Sequence, residues 1–75
     1  MINNRDKPSL IKFGEHLREL RKNKGFSQEQ LENIAQISKN QIGNIERGEV
    51  NATLITILAI AKALEISPKD FFDEL

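Results

Sequence analysis

The stretch from Ser27 to Gly48, SQEQLENIAQISKNQIGNIERG, constrains this chain more than any other. Ser27 is followed three residues later by Gln30, the spacing of a capping box in which each side chain satisfies the other's backbone N–H. Leu31, Ile34 and Ala35 then recur at the three- and four-residue intervals of one helix face. Ser38 repeats the capping signal and predicts a further helix with Ile42 and Ile45 buried and Lys39, Asn40, Gln41, Gly43 and Asn44 facing out. Gly48 falls where a left-handed residue would end that helix. With Gln36 and Ile37 alone between them, the two helices cannot lie antiparallel and must cross steeply.

The rest of the chain reads as helix too. A first helix is expected from about Ser9 to Lys24, with Leu10, Phe13, Leu17 and Leu20 as its buried stripe and Gly25 as its stop. A fourth begins at Asn51 or Thr53, and its apolar residues Leu54, Ile57, Leu58, Ile60, Ala61 and Leu64 exceed what one face can hide. A fifth starts after Ser67, with Pro68 at its first position and Phe71, Phe72 and Leu75 following. Strand signals are nearly absent, because the β-branched run at Ile55 to Ile57 sits inside a helical repeat. The expected fold class is all-α, a compact five-helix bundle, with residues 1–8 as a flexible N-terminal arm and 9–75 as a single domain.

Such a domain is small. At 75 residues one hydrophobic core is marginal, and without Cys and with His16 alone neither a disulfide nor a metal offers support. Partner subunits are the remaining common source of stability. The absence of Cys fits a reducing compartment. No apolar run approaches a membrane span and no signal-peptide layout opens the chain, so a cytoplasmic location is expected. Enzyme chemistry finds no foothold: there is no phosphate loop, nucleophile elbow or metal spacing. His16 reads as a solvated or half-buried surface histidine, and Glu29 and Glu32 as ordinary surface charge and helix-dipole partners. No cofactor or small-molecule ligand is implied.

The segments HLRELRKNKGFSQEQL, ISKNQIGNIERG and LITILAIAKALEISPKDFF, in that order and without a gap, resemble helix-turn-helix regulators of the phage-repressor/Cro type, the XRE family. The resemblance runs from about Leu10 to Phe72. It implies a phage-repressor type of DNA-binding bundle whose second and third helices form the helix-turn-helix, with residues 38–47 as the recognition helix in the major groove. It further implies a partly buried ion pair between Arg21 and Glu46 that sets the recognition helix in place. Matching positions supply the candidate contacts. Gln28 binds a phosphate and buttresses the recognition helix, while Ser38, Lys39 and Asn40 stand at that helix's start, with Lys39 and Asn40 best placed for base edges. Asn44 lies one turn on, and Gln41 and Asn51 hold the DNA backbone.

Several residues depart from the pattern. Glu32 stands where a small Ala is usual and is expected to turn outward. Gln36 stands where the turn has Gly, which requires a non-glycine residue at positive φ. Gly43 weakens the recognition helix by about 1 kcal/mol relative to Ala and removes a side chain that would face DNA. Ala52 replaces Pro before the fourth helix, and Glu65 replaces the Gly or Asn that closes it.

A formal net charge of zero is unusual for a protein that grips phosphates. Its distribution restores the case: residues 1–24 carry seven Lys or Arg against three acids, 25–64 three against four, and 65–75 one against four. The basic third and the acidic tail are thereby expected on opposite sides. Neutrality overall predicts modest non-specific affinity and hence two subunits. Ile55, in a position usually polar, with Ala59 one turn on and Ile66, Phe72 and Leu75 nearby, is the expected dimer patch. The short form, resembling restriction–modification controller proteins, small phage repressors and antitoxin-like regulators, points to a homodimeric transcriptional regulator of double-stranded DNA on a palindromic operator. The alternative is an antitoxin or anti-repressor-like module that uses the same fold to hold another protein.

Overall fold

A computed structural model describes residues 6–73, so Leu75 and the first five residues lie outside the described part. Four α-helices run in order, α1 (Lys7–Asn23), α2 (Gln28–Ala35), α3 (Gln41–Glu46) and α4 (Leu54–Leu64), followed by a 3-10 turn at Pro68–Phe72. The fold is all-helical as expected, with the fifth element corrected from an α-helix to a 3-10 turn. Its cause is local. The Asp70 carboxylate turns back to accept the Ser67 N–H at 3.2 Å, and the Asp70 N–H bonds the Ser67 carbonyl at 2.9 Å, which closes a tight turn over five residues.

α1 starts two residues earlier than the sequence suggested. Asp6 is its cap, and its carboxylate accepts the Ser9 N–H at 3.3 Å and the Ser9 hydroxyl at 2.7 Å. Lys7 and Pro8 are therefore helical, leaving residues 1–5 of the expected arm outside the described part. α4 opens on Thr53, whose hydroxyl accepts the Thr56 N–H at 3.2 Å.

All four α-helices end in the same way. In each, the residue past the last turn is left-handed, and its N–H and the next residue's N–H bond back to carbonyls three and five residues earlier, the Schellman arrangement. After α1 and α3 this residue is glycine, Gly25 and Gly48; after α2 and α4 it is Gln36 and Glu65, each at φ 58°.

One core unites the helices. Leu17 of α1, Leu31 of α2, Ile42 of α3 and Ile60 and Leu64 of α4 are nearly fully buried, together with Phe71 of the 3-10 turn. Phe71 lies 5.4 Å from the Phe13 ring, so the turn is sealed onto α1. His16 adds a second tie, its Nε2 lying 2.6 Å from the Asp70 carbonyl oxygen. α1 packs chiefly on α3 and α2 on α4. The α1–α3 approach depends on Gly14, where a Cβ would come within 2.6 Å of the Glu46 carbonyl oxygen and closer still to that of Ile45. One expectation about the apolar faces fails and one holds. Ile34 is half exposed, and on α4 Leu54 and Leu58 face solvent along with Ile55. Ile34 falls at the edge of the face that buries Leu31 and half-buries Ala35, and α4 carries more apolar surface than this core covers.

Candidate nucleic-acid interface

α2 enters through the expected capping box: the Ser27 hydroxyl accepts the Gln30 N–H at 3.0 Å, and the Gln30 side chain accepts the Ser27 N–H at 2.8 Å. α3 does not enter as expected. Ser38 does not cap it; its carbonyl accepts the Gln41 N–H at 3.3 Å, while Lys39 and Asn40 continue a turn in which Asn40 is left-handed, φ 71°. The helix expected over 38–47 is thus shortened to Gln41–Glu46, and five residues rather than two separate it from α2.

A buried polar seam holds α3 against α1 and α2. Arg21 Nε donates to Glu46 Oε2 at 2.6 Å and its Nη2 to Oε1 at 3.1 Å, a two-pronged pair with side chains 10% and 4% exposed. The guanidinium also donates to the Phe26 carbonyl at 2.8 Å, and Gln28 Nε2 donates to Glu46 Oε1 at 2.9 Å. Each charge in the seam is therefore met by several partners, the condition under which a buried pair is tolerated. Gln28 reaches α3 from the first turn of α2, where it buttresses Glu46.

Glu32 corrects the outward expectation. It is buried, and its Oε2 accepts the Ile42 N–H at 3.0 Å. Gly43 is also buried, covered by two side chains; a Cβ there would lie 3.0 Å from Arg47 Nη1 and 3.2 Å from Gln28 Oε1.

Around Gly43 opens a polar concavity of about 310 Å³, lined among others by Gln28, Lys39, Asn40, Asn44 and Arg47. The structure thus brings five side chains to one face, four of them from the candidates read in the sequence. Ser38 and Gln41 sit in the turn and at the first helical position, exposed and half-buried. Asn51 stands apart, exposed in the loop between α3 and α4, where it lines a different, mostly apolar cleft with Phe13 and Phe72. Arg47 was missed by the sequence reading. Its Nη2 donates to Asn44 Oδ1 at 2.7 Å and its Nε approaches Glu49 Oε2 at 3.1 Å, so it is held over the face while staying more than half exposed. The signal was present in the spacing, since Arg47 follows Gly43 by four residues and Asn44 by three, one helix face.

Of the residues read as a subunit patch, Ile55 is 75% exposed and Phe72 47%. Ala59 is half-buried, and Ile66 packs against the core. Leu54 at 67% exposed and Leu58 at 40% join Ile55 on one side of α4, the surplus of apolar residues that one face of this helix could not hide. Among the described residues no cluster of His, Cys, Asp and Glu has the makings of a metal site, and no helix is long and apolar enough to cross a membrane.

A bundle in which a short helix is held by its neighbours with one polar face outward, preceded by a second short helix, defines a helix-turn-helix domain. A helix-turn-helix family model matches residues 17–71, and the chain belongs to that family. Among curated relatives, the control protein C.SmaI of Serratia marcescens is 43% identical over 55 residues, covering 73% of this chain and 66% of that protein. The control protein C.BamHI of Bacillus amyloliquefaciens is 40% identical over 62 residues, covering 81% and 76%. In structure, the restriction-modification controller protein C.AhdI from Aeromonas hydrophila superposes with a TM-score of 0.85 at 45% identity, covering 87% of this chain and 98% of that one.

Proposed function

We propose that this protein is a sequence-specific DNA-binding transcriptional regulator that acts as a homodimer on a palindromic operator, in the manner of a controller of a restriction–modification system. The observation that carries this reading is the polar face around Gly43, where Lys39 and Asn40 of the turn before α3, Asn44 of α3 and Arg47 just past its end stand together, with α3 seated by buried ion pairing. Those side chains match what the major groove offers. Lys and Arg donate to guanine, Asn bonds adenine through two hydrogen bonds, and none of the four is acidic. Gln28, Ser38 and Gln41 hold the phosphate backbone beside them, and Asn51 does so from the loop that follows α3.

The second subunit docks through the apolar side of α4. Leu54, Ile55 and Leu58 remain exposed there, in a chain whose zero net charge limits what one domain gains from phosphates. With Cα extents of 36 × 24 × 19 Å, two subunits about a two-fold axis can set their α3 helices about 34 Å apart, one turn of B-DNA. The resemblance to control proteins C.SmaI and C.BamHI supports the assignment to this class of regulator.

Selection of bound duplexes from a random pool tests the reading. The expected result is an enriched inverted repeat bound by two chains. Failure to enrich any sequence at low salt would refute base reading and favour a protein-holding role for the same fold.

A further inference from the structure

α3 is a helix of six residues that begins on a left-handed residue and has no capping bond from Asn40, the side chain at its start. A helix start leaves its first N–H groups without intrahelical partners. The usual remedy, a Ser, Thr, Asp or Asn side chain in the flanking residue, is not used here. Ser38 gives its carbonyl to Gln41 N–H, and the Ile42 N–H receives its acceptor from a different helix, Glu32 Oε2, ten residues upstream and 3.0 Å away.

Glu32 is 5% exposed. A carboxylate in such a place is costly unless it is hydrogen-bonded, and a negative group beside a helix start is favoured by the helix dipole. The arrangement therefore satisfies both groups only while α2 and α3 keep their present spacing. At its other end α3 is held by Glu46, gripped by Arg21 and Gln28. One carboxylate thus pins each end of the helix, and Glu32 pins the end next to Lys39 and Asn40, with which it shares the polar concavity.

We propose that Glu32 is a positioning residue for DNA reading: it supplies from α2 the N-terminal cap that α3 lacks, and so fixes the turn that presents Lys39 and Asn40. The proposal rests on α3 being the DNA-reading helix, and its test separates the two claims. Three variants are compared: Glu32→Gln keeps an acceptor oxygen, Glu32→Leu keeps the buried volume without one, and Glu32→Ala removes both. Amide hydrogen exchange at Ile42, measured without DNA, reports the cap. Affinities for the duplex that the wild type enriches from a random pool and for poly(dI-dC), measured well below each melting temperature, report the reading.

Glu32→Leu and Glu32→Ala should speed Ile42 exchange and weaken binding to the enriched duplex by about tenfold, the scale of a lost cap. Binding to poly(dI-dC) should hold, and Glu32→Gln should restore both readouts. Unchanged Ile42 exchange in Glu32→Leu would overturn the proposal, as would an equal loss on both DNAs. Should Glu32→Ala not fold, Glu32→Leu carries the test. If the wild type enriches no duplex, base reading itself has failed, and Ile42 exchange still decides whether Glu32 seats α3.

Discussion

The two sides of this small bundle treat their side chains in opposite ways. Between α1, α2 and α3 the structure buries charge, with Arg21, Glu46 and Glu32 all under a tenth exposed and each met by a hydrogen-bonding partner. On α4 it leaves apolar residues in water, Ile55 three-quarters exposed and Leu54 two-thirds. Neither choice maximises the stability of a lone domain. Buried ion pairs roughly break even against apolar replacements of similar volume, and each exposed aliphatic side chain forgoes about 1.5–3 kcal/mol of burial. The seam's hydrogen bonds hold one orientation of α3, whereas the apolar side of α4 has no directional partner and suits a second subunit.

The seam should be the more fragile of the two. Glu46→Ala leaves the buried Arg21 guanidinium without its carboxylate and is expected to destabilise the fold by about 3–5 kcal/mol, measurable by urea or thermal unfolding. A double variant, Arg21→Met with Glu46→Leu, sharpens the contrast. It should recover most of that stability while specific DNA binding stays weak, because the directional hold on α3 is gone. Full recovery of both would mean that the pair contributes packing alone.

The apolar side should respond in association rather than folding. Ile55→Glu is expected to leave the melting temperature of the separated subunit nearly unchanged and to shift sedimentation to a monomer. Operator affinity should then fall on the order of 10²-fold, as expected when two linked contacts become one. A dimer that survives Ile55→Glu and Leu54→Glu together would place the interface elsewhere. A smaller effect is expected at the reading face itself. Asn40→Ala and Lys39→Ala should each reduce discrimination between bases by about 1–3 kcal/mol, seen in competition gel shifts. Lys39→Ala should barely change stability because its side chain is exposed, whereas Asn40→Ala should also cost up to about 1 kcal/mol because Ala tolerates the left-handed φ of 71° less well than Asn.

What the sequence revealed follows the same division. Features set by neighbours in the chain were legible: the Ser27–Gln30 capping box, Thr53 at the start of α4, the left-handed residues Gln36 and Gly48, and the helical class of the whole. Features set by distant residues were not. Glu32 looked like surface charge because its partner, the Ile42 N–H, is brought to it by the fold, and its only mark was that it stands where a small residue is usual. Ser38 looked like a cap because the capping pattern does not disclose that Lys39 and Asn40 turn once more before α3 begins. On α4 the periodicity identified a helix with too much apolar surface, but which residues stay in water depends on where α2 and the 3-10 turn cover it.

The smallest expected effect compares the two sides through a feature they share. Gln36 ends α2 just before the turn into α3 and Glu65 ends α4, both left-handed at φ 58°. A side chain in that conformation costs roughly 1–2 kcal/mol, while glycine gives back about 0.4–1 kcal/mol through a freer unfolded chain. Gln36→Gly and Glu65→Gly should therefore each stabilise the fold by about 0.5–1 kcal/mol, and the pair should add, since the sites lie on separate helices. Their effects on DNA should differ. Gln36 opens the turn that leads to Lys39 and Asn40, so a glycine there loosens the presentation of those side chains and weakens specific binding. Glu65 leads only into the segment before the 3-10 turn, and its glycine variant should bind as the wild type does. Equal DNA binding by both variants would mean that the α2–α3 turn is held by its packing and by Glu32 alone.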